Sequence, residues 1–320
     1  MVIIMKIQKS ADAARVDKKL GSVIAKDFRI NWKLYLLVSP VLIYYIIFCY
    51  KPMYGALIAF VDYRPGKGLF ECNWVGFKYF IQFFDSVFFG RVLKNTLTIS
   101  ITSLLVGFPM PIILALLINE VKSKKFAKTV QTISYLPHFI SMVVICGMIK
   151  DFTAADGIIT ELVSLFGGKK QSLLNDPSMF VPIYVLSGVW QEVGWGSIIY
   201  IAAIAGVDQS LYEAAAIDGA GRLRQTWHIT LPSILPTIII LLIMRVGQLL
   251  NVGFEKIILL YNPAIYDTAD VISSFVYRKG ILEYNYSYST AVGLFNSVVN
   301  FTLLVVVNNI SKKTTESALW

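Results

Sequence analysis

EAAAIDGAGRLRQTWHITLP, residues 213–232, is a polar island between two very apolar stretches of the chain. Ser210-Leu211-Tyr212-Glu213 just before it fits the capping box S-x-x-E, so a helix is expected to begin at about Ser210. The alanines propagate that helix. Gly219 and Gly221 stop or bend it, because glycine adopts backbone angles that other residues avoid. Arg222 to Thr230 then suits a second short helix, with Trp227 and Ile229 as its apolar contacts. Pro232 fits the first turn of the next element. The expectation is a helix–bend–helix elbow whose small alanines admit close approach by another surface. An ordinary loop in which Glu213 merely caps a helix is the other reading of these residues.

The surroundings decide where such an elbow sits. The chain has 320 residues, 56% of them hydrophobic and only 15% charged. A soluble domain carries roughly 25% charged residues, and the mean hydropathy here is +0.64. Both point to an integral membrane protein. The net charge of +9 is not a nucleic-acid signature, because the basic residues lie in connectors between apolar runs. Cys49, Cys72 and Cys146 are too scattered for a disulfide framework or a metal site. The first apolar run follows a charged tail and precedes no small-residue cleavage pattern, so it reads as a retained span.

A bilayer core needs roughly 20 apolar residues per helix. That rule selects about six spans: 34–60 (interrupted at Lys51-Pro52), 93–118, 130–149 (interrupted at Pro137-His138), 180–207, 234–260 and 289–308. With the N-terminus inside, the inner connectors hold 16 lysines and arginines and the outer ones hold 9. The bias puts both termini, and the elbow, in the cytoplasm. The aromatic-rich stretch 74–97 suits an interfacial helix leading into the second span. The expected organisation is all-α: a cytoplasmic tail over 1–33, one membrane domain over 34–310 that includes the elbow at 208–232, and a second cytoplasmic tail over 311–320.

Glu213-Ala214-Ala215, then Gly219, then Ile229-x-Leu231-Pro232, resembles the EAA signature of ABC importer permeases. Trp227 stands where that family usually has phenylalanine. The segment VGFKYFIQFF…GRVLKNTL is similar to the approach to the second span in sugar-type permeases. WQEVGWGSIIYIAAIAGVDQSLYEAAAIDGAG resembles their fourth span and elbow. RVGQLLNVGFEKIILLYNPAIYDTADVISSFVYRKGI looks like the branch that serves uronate-type, pectic and other complex glycans. The resemblance covers nearly everything beyond residue 30. It implies a type I importer permease fold in a bacterial cytoplasmic membrane. It implies a second homologous permease subunit, two ATPase subunits and an extracellular solute-binding protein. The outer connectors 61–92 and 261–288 are the candidate surfaces for the last, and the resemblance does not choose between them. The elbow becomes the coupling element. Glu213 then meets a basic residue of the ATPase, Ala214 and Ala215 allow close packing, Gly219 makes the bend, and Asp218, Arg222, Ile229, Leu231 and Pro232 complete the docking unit.

No G-x-x-x-x-G-K-[ST] occurs in the chain, and Gly168-Lys169-Lys170 lacks the following hydroxyl. ATP and its magnesium are therefore expected on partner subunits, with no cofactor or metal held by this chain. No Ser/His/Asp or Cys/His constellation suggests an enzyme. His138 reads as a structural hydrogen-bonding group and His228 as part of the docking surface.

Ionisable groups inside spans mark function by default. Arg245, Gln248, Asn251 and Glu255 fall within an arc of roughly 120° if the fifth span is one continuous helix. The fourth span adds Trp190, Gln191, Glu192 and Trp195. Aromatic planes suit the C–H faces of an oligosaccharide, amides and charges its hydroxyls, and Arg245 a carboxylate. Helix-to-helix bonding, or a buried bridge from Arg245 to Glu192 or Glu255, is the competing reading. A self-sufficient ion-coupled secondary transporter is the competing function, although no inverted repeat is evident.

Overall fold

The computed structural model describes Val23, residues 26–315 and residues 318–319. Most of the expected N-terminal tail, and part of the C-terminal one, lie outside the described residues. Among the described residues the regular structure is helical, the only β feature being a single bridge between Val61 and Trp74. It divides into two compact units, Met1–Leu57 and Ile58–Trp320.

Among the described residues four helices are long and apolar enough to cross a membrane: Lys26–Phe60, Phe89–Asn119, Arg222–Val246 and Tyr286–Thr314. Lys124–Phe139 and Met142–Phe152, bent by 99° at their junction, make a fifth if counted as one crossing. The helix Pro177–Ala205 has 29 residues, about 44 Å at the α-helical rise. Its polar middle, Trp190 to Glu192, sets it apart in composition. Helix, bent helix or, in the fifth, broken helix thus occupies each of the six expected segments.

Several boundaries differ from expectation. The first helix, Lys26–Phe60, runs through Lys51-Pro52. A π-turn over Tyr45–Tyr50, closed by the Lys51 N–H on the Ile46 carbonyl, re-routes the hydrogen bonds ahead of the proline. The interfacial helix expected over 74–97 is two pieces. A short helix, Lys78–Phe84, turns at 85–88 into the one beginning at Phe89. The last helix runs on to Thr315, into the expected tail.

The largest departure is in the fifth span. Its helix ends at Val246, the chain turns and opens over 247–253, and a new short helix covers Phe254–Leu260. Gly247 makes a continuous close approach to the last helix, where an added Cβ would lie 2.5 Å from a Leu304 methyl. The opened backbone is caught by that helix's amides. Asn300 Oδ1 accepts from the Leu250 N–H at 3.0 Å, and the Asn296 and Asn300 side chains both donate to Asn251 Oδ1, at 2.9 and 3.1 Å. Irregular backbone at this depth is tolerated where it is satisfied by protein or lines a cavity.

In the larger unit, Pro177–Ala205 is the central post. Its first turn puts Phe180 into a core with Ile99, Ile145, Ile257, Leu260 and Ile265. Its last turns put Tyr200 and Ile204 into a second core with Ala115 and Ile234. A third, aromatic core of Phe83, Phe275 and Tyr288 ties the outer segments to the last helix. Close packing against the post is enforced by Gly194, whose backbone faces the Ser134 carbonyl so closely that a Cβ would be 2.0 Å away.

Candidate functional site

The elbow forms as a helix–bend–helix. Its first arm is Gln209–Ile217. The cap is Asp208, not Ser210: the Asp208 carboxylate accepts from the Ser210 N–H at 2.9 Å. This amide, with the Ser210 hydroxyl, holds the Asp208 carboxyl below its ordinary pKa. Asp and Ser are comparable caps, and the aspartate two residues before the expected serine takes the role. Gly219 has φ +75°, left-handed backbone that favours glycine. Gly221 precedes the second arm, Arg222–Gln225. That arm does not end at Thr230. It passes through a π-turn, Thr226–Thr230, directly into Leu231–Val246. Pro232 therefore sits inside one continuous 25-residue helix, Arg222–Val246, and the π-turn accommodates its missing N–H.

Three contacts hold the two arms. Tyr212 and Thr230 hydroxyls meet at 2.9 Å, the Gln225 amide donates to the Ala220 carbonyl at 2.9 Å, and Arg222 reaches the Glu120 carbonyl at 3.1 Å and carboxylate at 3.4 Å. Ile229 packs with Tyr212 on the core beneath. Trp227 is not the internal contact the sequence suggested: it is 67% exposed, alongside Ile217 at 87% and Leu223 at 79%. Glu213, Ala214 and Asp218 are exposed and Ala215 half-buried. Leu231 is half-buried and Pro232 exposed. His228 is exposed and bonds only within its own helix, to the Arg224 carbonyl.

A cavity of about 540 Å³ lies between the post, the second span and the broken fifth span. Gln191, Glu192, Arg245, Gln248 and Asn251 line it; Trp190, Trp195 and Glu255 do not. The expected continuous stripe is corrected in its origin. Arg245 ends one helix, Gln248 and Asn251 sit in the opened segment, and Glu255 lies in the next helix. The break turns Asn251 toward the cavity and leaves Glu255 off its wall. The suggested bridges from Arg245 to Glu192 or Glu255 do not form among the described residues. Glu192 instead pairs with His138 Nδ1 at 3.1 Å, and the His138 ring stacks on Trp195 at 4.5 Å with planes 2° apart. Trp195 thus serves as a platform for His138, beside the cavity.

Sequence reasoning missed Lys256, which is 4% exposed and lines the cavity. It also missed Asn296 and Asn300, which position Asn251. Their only sequence signal was polarity within the otherwise apolar 289–308, which is weak without the partner residue.

A family model described as "Binding-protein-dependent transport system inner membrane component" matches residues 87–316. The chain is 47% identical over 316 residues to Protein LplB of Bacillus subtilis strain 168, covering 98% of this chain and 99% of that one. It is 45% identical over 288 residues to the polygalacturonan/rhamnogalacturonan transport system permease protein YteP of the same organism, covering 90% of each. Among solved structures, a chain of a bacterial alginate ABC transporter, in complex with an alginate pentasaccharide-bound periplasmic protein, superposes with a TM-score of 0.84 at 45% identity. That match covers 92% of this chain and 99% of the other.

Proposed function

The chain belongs to the binding-protein-dependent transport system inner membrane components, as a permease subunit of an ABC importer in the bacterial cytoplasmic membrane, and we propose that its cargo is an acidic oligosaccharide. The observation that carries this is the cavity wall. Arg245, Gln248, Asn251 and Gln191 converge there, and Arg245 has no carboxylate partner among the described residues. Amides suit hydroxyls, and a guanidinium free of internal pairing suits the carboxylate of a uronic acid. The substrates in the names of the relatives, polygalacturonan and alginate, are polymers of such acids.

The partners in this reading are a second homologous permease, two ATPase subunits that hold ATP and magnesium, and an extracellular binding protein received on segments 61–92 and 261–288. Six crossings put both termini and the elbow in the cytoplasm. The exposed elbow, with Glu213, Ala214, Ala215 and Asp218 on its first arm, docks in the ATPase. Because the second arm is continuous with the helix that carries Arg245, a displacement of the elbow moves the cavity wall as a rigid lever. Closure of the ATPase pair draws the elbows together and opens the cavity to the loaded binding protein; ADP release reverses it.

The test is a mild-detergent pull-down of this chain from its native membrane, with co-purifying subunits identified by mass. The reading expects an ATPase and a second membrane subunit of similar size, with ATP hydrolysis stimulated by a loaded binding protein. Recovery of the intact, folded chain alone overturns it.

A further inference from the structure

Lys256 is the most deeply buried cation among the described residues, and it has an unusual set of neighbours. Its Nζ donates to the Tyr184 carbonyl at 3.0 Å and lies 4.7 Å from the centroid of the Tyr184 ring. Among the described residues no carboxylate lies within ion-pair distance. Glu255 beside it is exposed and off the cavity wall, and the acid on that wall, Glu192, is taken by His138. A carbonyl and a ring face solvate an ammonium but leave its charge uncompensated, and two of its three donors are unassigned. An uncompensated buried charge is strongly unfavourable, so such groups in membrane proteins mark function.

The cavity offers the compensation. Lys256 and Gly188 both line it, and a Cβ placed on Gly188 would lie 3.5 Å from the Lys256 Nζ. The glycine therefore leaves the ammonium without a side chain between it and the open volume. Arg245, the other cation on this wall, is equally without a carboxylate. We infer that Lys256, approached past Gly188, is a charge-reading residue of the cavity that takes a carboxylate of the passing oligosaccharide alongside Arg245. A neutral sugar of the same shape leaves both cations unpaired, which is a stronger basis for discrimination than lost contact area. This inference rests on the importer reading above and adds a residue and a selection rule to it.

The experiment uses the purified complex of this chain with its partner permease and ATPases. Thermal stabilisation is measured with a galacturonate oligomer and with its fully methyl-esterified counterpart, without binding protein. Wild type is expected to prefer the acid by at least about tenfold, the scale of one charge-assisted hydrogen bond. Lys256→Met loses that preference and Lys256→Arg keeps it. Gly188→Val, which retains the lysine but obstructs the approach, loses it too. A wild-type preference in Lys256→Met overturns the inference. If that variant does not assemble, a wild-type preference in Gly188→Val does the same. Import of the acid by Lys256→Met at the wild-type rate overturns only the role of Lys256, whereas a wild-type complex that neither binds nor imports either oligomer overturns the acidic-oligosaccharide reading itself.

Discussion

The elbow and the cavity wall are inverses of each other. The elbow carries Ile217, Leu223 and Trp227 outward, 67% to 87% exposed, on a short polar segment. The cavity wall carries Arg245, Gln191 and Lys256 inward, among apolar helices. Each arrangement is costly in isolation. Exposed apolar groups outside the membrane mark a protein contact, and polar groups within it mark a polar solute's path. They also differ in how they are held. The elbow arms rest on two part-buried bonds and the exposed Arg222 pair, whereas the opened backbone at the cavity is fixed by the buried amide of Asn300. In the proposed reading the docking end is held through side-chain bonds, and the part that meets the cargo is fixed through its backbone.

This contrast predicts different consequences at the two places. Arg245→Met should lower import of an acidic oligosaccharide by about 10- to 100-fold, the value of a charge-assisted bond, with complex assembly intact; equal import places Arg245 outside the path. Gly219→Val puts a β-branched residue at φ +75°, costing roughly 1–2 kcal/mol of local strain. Uptake per ATP hydrolysed is expected to fall about tenfold while hydrolysis continues, and an unchanged ratio removes the bend from coupling. Asn300→Leu strips the acceptor from the buried Leu250 N–H, so the purified complex should lose about 1–3 kcal/mol, seen as a lower melting temperature. By contrast Arg222→Ala removes a pair whose side chains are 58% and 39% exposed, and should cost less than about 1 kcal/mol.

The smallest effect is at Asp208. Its pKa is depressed in the folded elbow, so its capping contribution is present above the ordinary carboxylate range and is lost as pH falls through the folded value. The protection of the Ser210 amide, its exchange rate relative to an unstructured peptide at the same pH, should therefore fall on acidification in the wild type. Asp208→Asn should remove that pH dependence, because asparagine caps without a charge.

The same two regions explain what the sequence could reveal. The elbow's signals are local: alanines, Gly219 and the Ile229-x-Leu231-Pro232 ending lie within twenty residues, and each acts on its own stretch of backbone. Even there, the cap expected at Ser210 forms at Asp208, a residue of comparable capping strength. The cavity depends on distant partners. Without the close approach of Gly247 to Leu304, or the bond from Leu250 to Asn300, residues 234–260 read as one apolar helix. That reading put Glu255 on the stripe with Arg245. Lys256 then fell at the edge of a span, where a lysine that snorkels is unremarkable. His138 was legible as a hydrogen-bonding group, but its partner Glu192 lies 54 residues away.

The most direct test is uptake of a labelled galacturonate oligomer into proteoliposomes. The account predicts accumulation only when this chain is present with its partner permease, the ATPases, a loaded binding protein and ATP, and none when an ion gradient replaces ATP. Accumulation by this chain alone under an ion gradient contradicts it.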